Sequence, residues 1–177
     1  MNGKIIASFI VICALLAGAA IYYLQVYGYY YRVTPEPGRD VLLVPLEGEA
    51  AVPIPYADFQ AINADSSPIR YRSCFTTTLS QEELAATYAP VEGGEPLVAP
   101  GWFDCFDAEE IGTGIEAGRI HMYMSVHNIA YGVDRVVAVA ADGRGWSWNE
   151  LNNCGRKAYD GTPIGESCPP RPEGGGS

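Results

Sequence analysis

The sequence predicts an α+β protein: an N-terminal transmembrane helix followed by a small domain with an antiparallel sheet, one or two short helices and two disulfides. Three observations carry this expectation. No charged residue occurs between Lys4 and Arg32. Three stretches with strand character, GRIHMYMSVHN, RVVAVAA and WSWNEL, follow one another late in the chain and are separated by glycine turns. Four cysteines lie beyond the apolar segment, with no C-x-x-C spacing among them.

The apolar segment comes first. IIASFIVICALLAGAAIYYLQV supplies the roughly 20 residues that cross a ~30 Å hydrocarbon core. Tyr22, Tyr23, Tyr27, Tyr29, Tyr30 and Tyr31 follow, half of the 12 tyrosines in the chain. Phenol rings favour the headgroup zone, apolar on one edge and wet on the other. A cleaved signal peptide competes with this reading, because Ala17-Gly18-Ala19 suits a signal peptidase. The residues after it are Ile-Tyr-Tyr-Leu, where a mature protein would usually turn polar, and this favours an uncleaved anchor. Ile12 before Cys13 excludes a lipoprotein site. Ala14 and Gly18 form a small-xxx-small pair that permits close helix packing. Lys4 on a very short tail fits a cytoplasmic N-terminus, and Arg32 and Arg39 oppose that placement. The cysteines support it, since four of them in an exported domain suggest two disulfides. Of the three pairings, Cys74–Cys105 with Cys154–Cys168 is preferred. The second would close a polar, glycine-rich loop and restrict the unfolded chain by about 3 kcal/mol.

VTPEPGRD then reads as a proline-broken linker and VLLVPL (41–46) as a short strand. Residues 47–67 read as irregular, with one turn at YADFQAI. PIRYRSCF (68–75) reads as a strand. Ser80 and Glu83 form a capping box for a short helix through about Tyr88. Asp107 caps a second helix along AEEIGTGIEAG, weakened by Gly112 and Gly114. A meander closes the domain, with a turn at Asp142-Gly143-Arg144-Gly145. The predicted sheet has four or five strands. The chain divides into a tail at 1–4, a transmembrane helix at 5–27, an interfacial aromatic segment and linker at 28–39, the α+β domain at 40–168 and a flexible tail at 169–177. The terminal GGGS reads as native sequence or as an appended linker.

Charge and motifs exclude several functions. Beyond Arg32, nine basic residues stand against 21 acidic ones, a formal charge of −12. This argues against a nucleic-acid partner and against a polybasic lipid-docking patch. No G-x-S-x-G, H-E-x-x-H or phosphate loop is present. His121 or His127 could act as a general base, but no nucleophile stands out, and no enzyme activity or cofactor is expected.

HMYMSVH invites a copper reading. On a strand, however, His121, Tyr123, Ser125 and His127 share one face, and Met122, Met124 and Val126 share the other. The two histidines lie about 20 Å apart along an extended strand. Met122 and Met124, with His121, are therefore low-ranking metal candidates, and a methionine core with a partly wet opposite face is the expectation. Asp104, Asp107, Glu109 and Glu110 lack EF-hand spacing, and helix N-terminal charge accounts for the last three. Trp146 and Trp148 share a face and divide evenly between a partner-binding surface and core packing.

The N-terminal stretch MNGKIIASFIVICALLAGAAIYYLQVYGYYY, with RSCFTT and VDRVVAVAADGRGWSWNELNNCG, resembles an uncharacterised family, a domain of unknown function, of small single-pass inner-membrane proteins from alphaproteobacteria. The resemblance covers nearly the whole chain. It implies an inner-membrane anchor and a periplasmic domain, and it supplies no catalytic residues. The expected function is a non-enzymatic accessory or assembly subunit of an inner-membrane complex, with a respiratory complex as one candidate. The expected partners are the lipid bilayer and an integral membrane protein complex. The alternatives are periplasmic copper handling during oxidase maturation, or a sensor domain signalling through a partner.

Overall fold

The computed structural model describes residues 3–48, 50–165 and 168–170. The terminal GGGS, expected as native sequence or an appended linker, lies outside the described residues.

The apolar segment forms α1 (Gly3–Tyr23), which continues without a break into a π-helical turn at Leu24–Gly28. Together they make 26 residues of mean hydropathy 2.6, long and apolar enough to cross a membrane. No residue of α1 is buried within the chain.

The domain is built on a six-stranded antiparallel sheet of β1 (Tyr31–Arg32), β4 (Ala57–Asn63), β5 (Arg72–Thr76), β6 (Ile120–Ala130), β7 (Val133–Ala140) and β8 (Arg144–Leu151). Its spatial order is β1-β4-β5-β8-β7-β6. β2 (Leu42–Leu43) and β3 (Val52–Pro53) pair separately as a two-stranded ribbon. The expected meander is β6-β7-β8, and Gly143 takes φ +86° in its second turn. Any side chain on Gly143 would also press on the Thr77 carbonyl, 2.6 Å from an added Cβ.

Six strands form where four or five were expected, and two local differences account for this. YADFQAI is a strand, not a turn. A bulge between Ala57 and Gln60, with Asp58 at φ 54°, breaks the alternation that would have revealed it. Pairing on both sides, to β1 and β5, supplies the order that local pattern lacks. The aromatic segment after α1 also contributes β1, since Tyr31 pairs with Asn63 and Arg32 with Ile62. The expected strand at 68–75 begins instead as a 3-10 turn at Pro68–Arg70, consistent with a proline that cannot donate to a ladder.

Both helices form where their caps predict. α2 (Gln81–Thr87) carries the full capping box: Glu83 N–H donates to Ser80 Oγ at 3.2 Å, and Ser80 N–H donates to Glu83 Oε2 at 2.8 Å. α3 (Ala108–Glu116) begins at Asp107, whose carboxylate accepts from Glu109 and Glu110 N–H. Gly114, unfavourable in a helix by propensity, is needed there. A Cβ on it would lie 2.4 Å from the Ile120 side chain, so its lack of one lets α3 approach β6.

The sheet is covered on both faces. On one face, Phe103 and Phe106 of the segment before α3, and Ile111 of α3, pack on Met122, Ala138, Trp146 and Trp148. On the other, Val41, Leu43 and Ile54 around the β2–β3 ribbon, with Leu84 of α2, cover Phe75, Tyr123, Val137 and Val139. Three buried hydroxyls sit on the second face. Tyr123, Ser147 and Ser73 fall on one cross-strand row, Tyr123–Val137–Ser147–Ser73. Among the described residues, the Tyr123 and Ser147 hydroxyl oxygens are buried without a hydrogen-bond partner, whereas Ser73 lies within reach of the Tyr71 phenol.

Both disulfides have the preferred pairing, Cys74–Cys105 and Cys154–Cys168. The first ties the centre of the sheet to the segment that covers it. The second closes the polar loop after β8.

Candidate functional site

The most chemically distinctive region lies where α1 meets the domain. Leaving the helix, the chain has few intrahelical partners for its last carbonyls. Trp102 supplies one, donating its Nε1–H to the Val26 carbonyl at 2.7 Å. Its ring stacks on Tyr27, with centroids 6.4 Å apart, and meets Tyr30 edge-on at 6.1 Å. Tyr27 in turn contacts Tyr22 and Tyr23, at 6.5 and 6.0 Å. The expected interfacial tyrosines are therefore partly a clasp. Tyr22, Tyr23 and Tyr27 continue the helix, Tyr30 turns onto the domain, and Tyr31 enters the sheet, its hydroxyl donating to Asp65 at 3.2 Å. Tyr29 is exposed and caps the π-helical turn, its N–H donating to Leu24 O.

Arginines surround this clasp. The Arg32 guanidinium lies 6.0 Å from the Trp102 ring, and that of Arg70 lies 5.5 Å from Tyr30. Arg72, 3% exposed, lies deeper, over Phe106 at 5.6 Å. It donates to the carbonyls of Leu97, Ile69 and Tyr71 at 2.6–2.8 Å. Burial lowers its pKa to about 10, leaving it charged at neutral pH. The sequence reading missed Trp102 altogether. The one signal for it was an isolated tryptophan in a loop otherwise poor in apolar periodicity, 76 positions from the carbonyl it caps.

A match across the body of the domain decides the family. Residues 41–169 fit the family model described as a family of unknown function, DUF6446. The chain belongs to DUF6446. The matched span begins after α1 and β1, so it takes in the DUF6446 sheet core and both disulfides and leaves out the helix. No curated protein and no solved structure matches the chain.

The other candidate residues are dispersed over the DUF6446 domain. Trp146 and Trp148, 3% and 0% exposed, are core and not a partner surface. The reason is the covering segment: Trp146 donates to the Cys105 carbonyl at 2.9 Å, and Trp148 meets Phe106 edge-on at 6.1 Å. Met122 is 4% exposed and belongs to the same core, whereas Met124 is half-buried. A copper role would require the Met122 thioether to leave that core. His121 is exposed, its Nε2 3.3 Å from the Gly118 carbonyl. The opposite face of this strand is drier than expected. Tyr123 and Ser125 are 1% and 2% exposed, because β2, β3 and α2 lie over that side. His127 is the wet end, 3.7 Å from Asp134. Ala14 and Gly18 lie on the exposed surface of α1, and nothing in the chain approaches a Cβ position on Gly18 within 4 Å.

The acidic cluster does not converge. Asp107 is committed to its cap and Glu110 to Arg144, at 2.9 Å. Among the described residues, no group of three or more His, Cys, Asp or Glu side chains is placed to hold a metal ion. A cavity of about 320 Å³ beside the Cys74–Cys105 bridge is rimmed by Asp104, Asp107, Glu110 and Arg144. Arg144 is already neutralised there by Asp142 and Glu110, so the rim is net negative and unsuited to an anion.

Proposed function

We propose that this DUF6446 chain is a membrane-anchored accessory or assembly subunit of a protein complex in the inner membrane of an alphaproteobacterium, with its disulfide-bonded domain in the periplasm and no catalytic role of its own. A respiratory complex is one candidate. The observation that carries the reading is the clasp at Trp102: the π-helical turn that ends the span is held on the domain through Val26, Tyr27 and Tyr30, so α1 is not joined by a loose tether. A helix whose sides are all exposed, with a small-residue groove at Ala14 and Gly18, is suited to an intramembrane neighbour. A docked helix then passes the position of that neighbour to the domain. The disulfides favour an oxidising compartment for the domain, and Lys4 favours a cytoplasmic tail.

Photo-crosslinking from position 14 in native membranes, followed by affinity purification in mild detergent, tests this. An integral membrane protein should be recovered, and Gly18→Leu should abolish its recovery while the disulfides remain formed. Recovery of the chain alone, crosslinked only to lipid or to a second copy, would overturn the proposal.

A further inference from the structure

A domain of formal charge −12 beyond Arg32 is a poor candidate for lipid recognition on average. The charge is not evenly distributed. β-sheet register places Arg32, Ile62, Arg72 and Trp148 on one cross-strand row, so Arg32 projects from the same face as Arg72 and the Trp102 segment. Arg32 flanks Trp102, Arg70 flanks Tyr30, and those two rings touch edge-to-face at 6.1 Å. Each ring of the touching pair therefore has one guanidinium group beside it. Among the described residues, neither is ion-paired with a carboxylate, whereas Arg39 and Arg144 both are. The pair also sits at a defined height. Trp102 holds the Val26 carbonyl, at the end of the segment long enough to span a membrane. That end lies at the level of the headgroup phosphates when the segment spans.

Guanidinium groups present planar, paired donors that match phosphate oxygens, and they are only weakly hydrated. Tyrosine and tryptophan rings at the same level pack along the glycerol and upper acyl region. We propose that Arg32 and Arg70, with Tyr30 and Trp102, clamp the domain to the phosphodiesters of membrane phospholipid and so set its tilt on the bilayer. The clamp rests on the reading of α1 as a membrane span. It requires no anionic lipid, because zwitterionic phospholipids carry the same phosphodiester. The acidic remainder of the domain would be repelled by an anionic surface, which leaves this pair as the point of contact.

The test uses the full chain, purified in mild detergent with phosphatidylcholine and a diacylglycerol of the same acyl chains, and read by native mass spectrometry. Phospholipid should be retained and diacylglycerol should not. Arg32→Gln/Arg70→Gln should lower retained phospholipid about tenfold, the scale of losing charge-assisted bonds. Arg32→Lys/Arg70→Lys, keeping charge without the planar fork, should fall between. Equal retention by wild type and the glutamine variant, or equal retention of diacylglycerol, would overturn the clamp. Carbonate extraction distinguishes failure of the anchor: release of the wild type from membranes would overturn the membrane reading and the clamp with it. Retention of both proteins in the membrane, with lipid lost only from the variant, is the supporting result.

Discussion

Replacing Trp102 by alanine asks whether the helix and the domain move as one unit. The substitution removes the hydrogen bond to Val26 at 2.7 Å, the stack on Tyr27, the edge contact with Tyr30 and the Arg32 contact at 6.0 Å. A hydrogen bond of this kind contributes about 0.5–1.5 kcal/mol net. An aromatic pair adds about 0.5–1.5 kcal/mol. The arginine, at the outer limit of cation–π distance and exposed, adds about 0.5 kcal/mol at most. The terms overlap, so docking should weaken by about 2–4 kcal/mol, with the two ring contacts as the largest share. At 1.4 kcal/mol per decade, the lower figure is about a 30-fold shift toward the undocked state. Hydrogen exchange on the full chain in nanodiscs reads this directly. The Val33 amide donates to Ala61 O at 2.9 Å and lies next to β1, only two residues long, which has little else to hold it. Its protection should fall at least about tenfold, while Val137 in the middle of the sheet stays protected. Trp102→Phe keeps a ring but strands the Val26 carbonyl, and should give a smaller loss. Unchanged protection at Val33 would refute the clasp as the coupling element. Collapse of protection at Val137 would refute its local character.

Four further outcomes are expected. Cys74→Ala/Cys105→Ala, which opens a crosslink between residues 31 apart, should lower stability by about 3–4 kcal/mol in denaturant titrations followed by tryptophan signal. Cys154→Ala/Cys168→Ala should instead expose residues 155–165 to protease with little change in sheet melting, because neither cysteine belongs to either core cluster. Tyr123→Phe removes a buried hydroxyl that has no partner among the described residues, so thermal melting should show stability raised by about 1 kcal/mol, and a loss of that size would reveal a partner for the hydroxyl. Hydrogen bonds from the Ser80 backbone N–H and then its hydroxyl hold the Glu83 carboxyl below its ordinary 4.5. Because the folded value is the lower one, the contribution to α2 is complete above the ordinary carboxylate range and fades as pH falls through the lowered value. Glu83→Gln should abolish that fading in an NMR titration of α2 amides.

Much of the fold was legible because its signals are local. Both helix caps depend on residues within three positions of each other, at Ser80–Glu83 and Asp107–Glu110, and both helices begin where those caps place them. The β7–β8 hairpin follows from a glycine turn between two apolar runs. The disulfide pairing, one of three, was preferred for the polar loop that the second bridge would close. β4 was missed because its bulge destroys period-two alternation and its order comes from two neighbouring strands. The candidate site was less legible than the fold. Trp146 and Trp148 were correctly placed on one face, but alternation cannot say whether that face meets solvent, a partner or the chain's own loop.

By itself, the sequence determined the apolar span, the tyrosine belt that ends it, the helix caps, the late meander and the acidic balance of the domain. Each is a property of composition or of spacing within a few residues. Only the tertiary structure decided that the sheet is buried on both faces, which turns Trp146, Trp148, Met122 and Tyr123 into core. Only it brought Trp102 to Val26 and set Arg32 and Arg70 around one pair of rings. Those contacts join residues 40 to 76 positions apart, and no local pattern encodes a meeting that depends on where the sheet carries each strand.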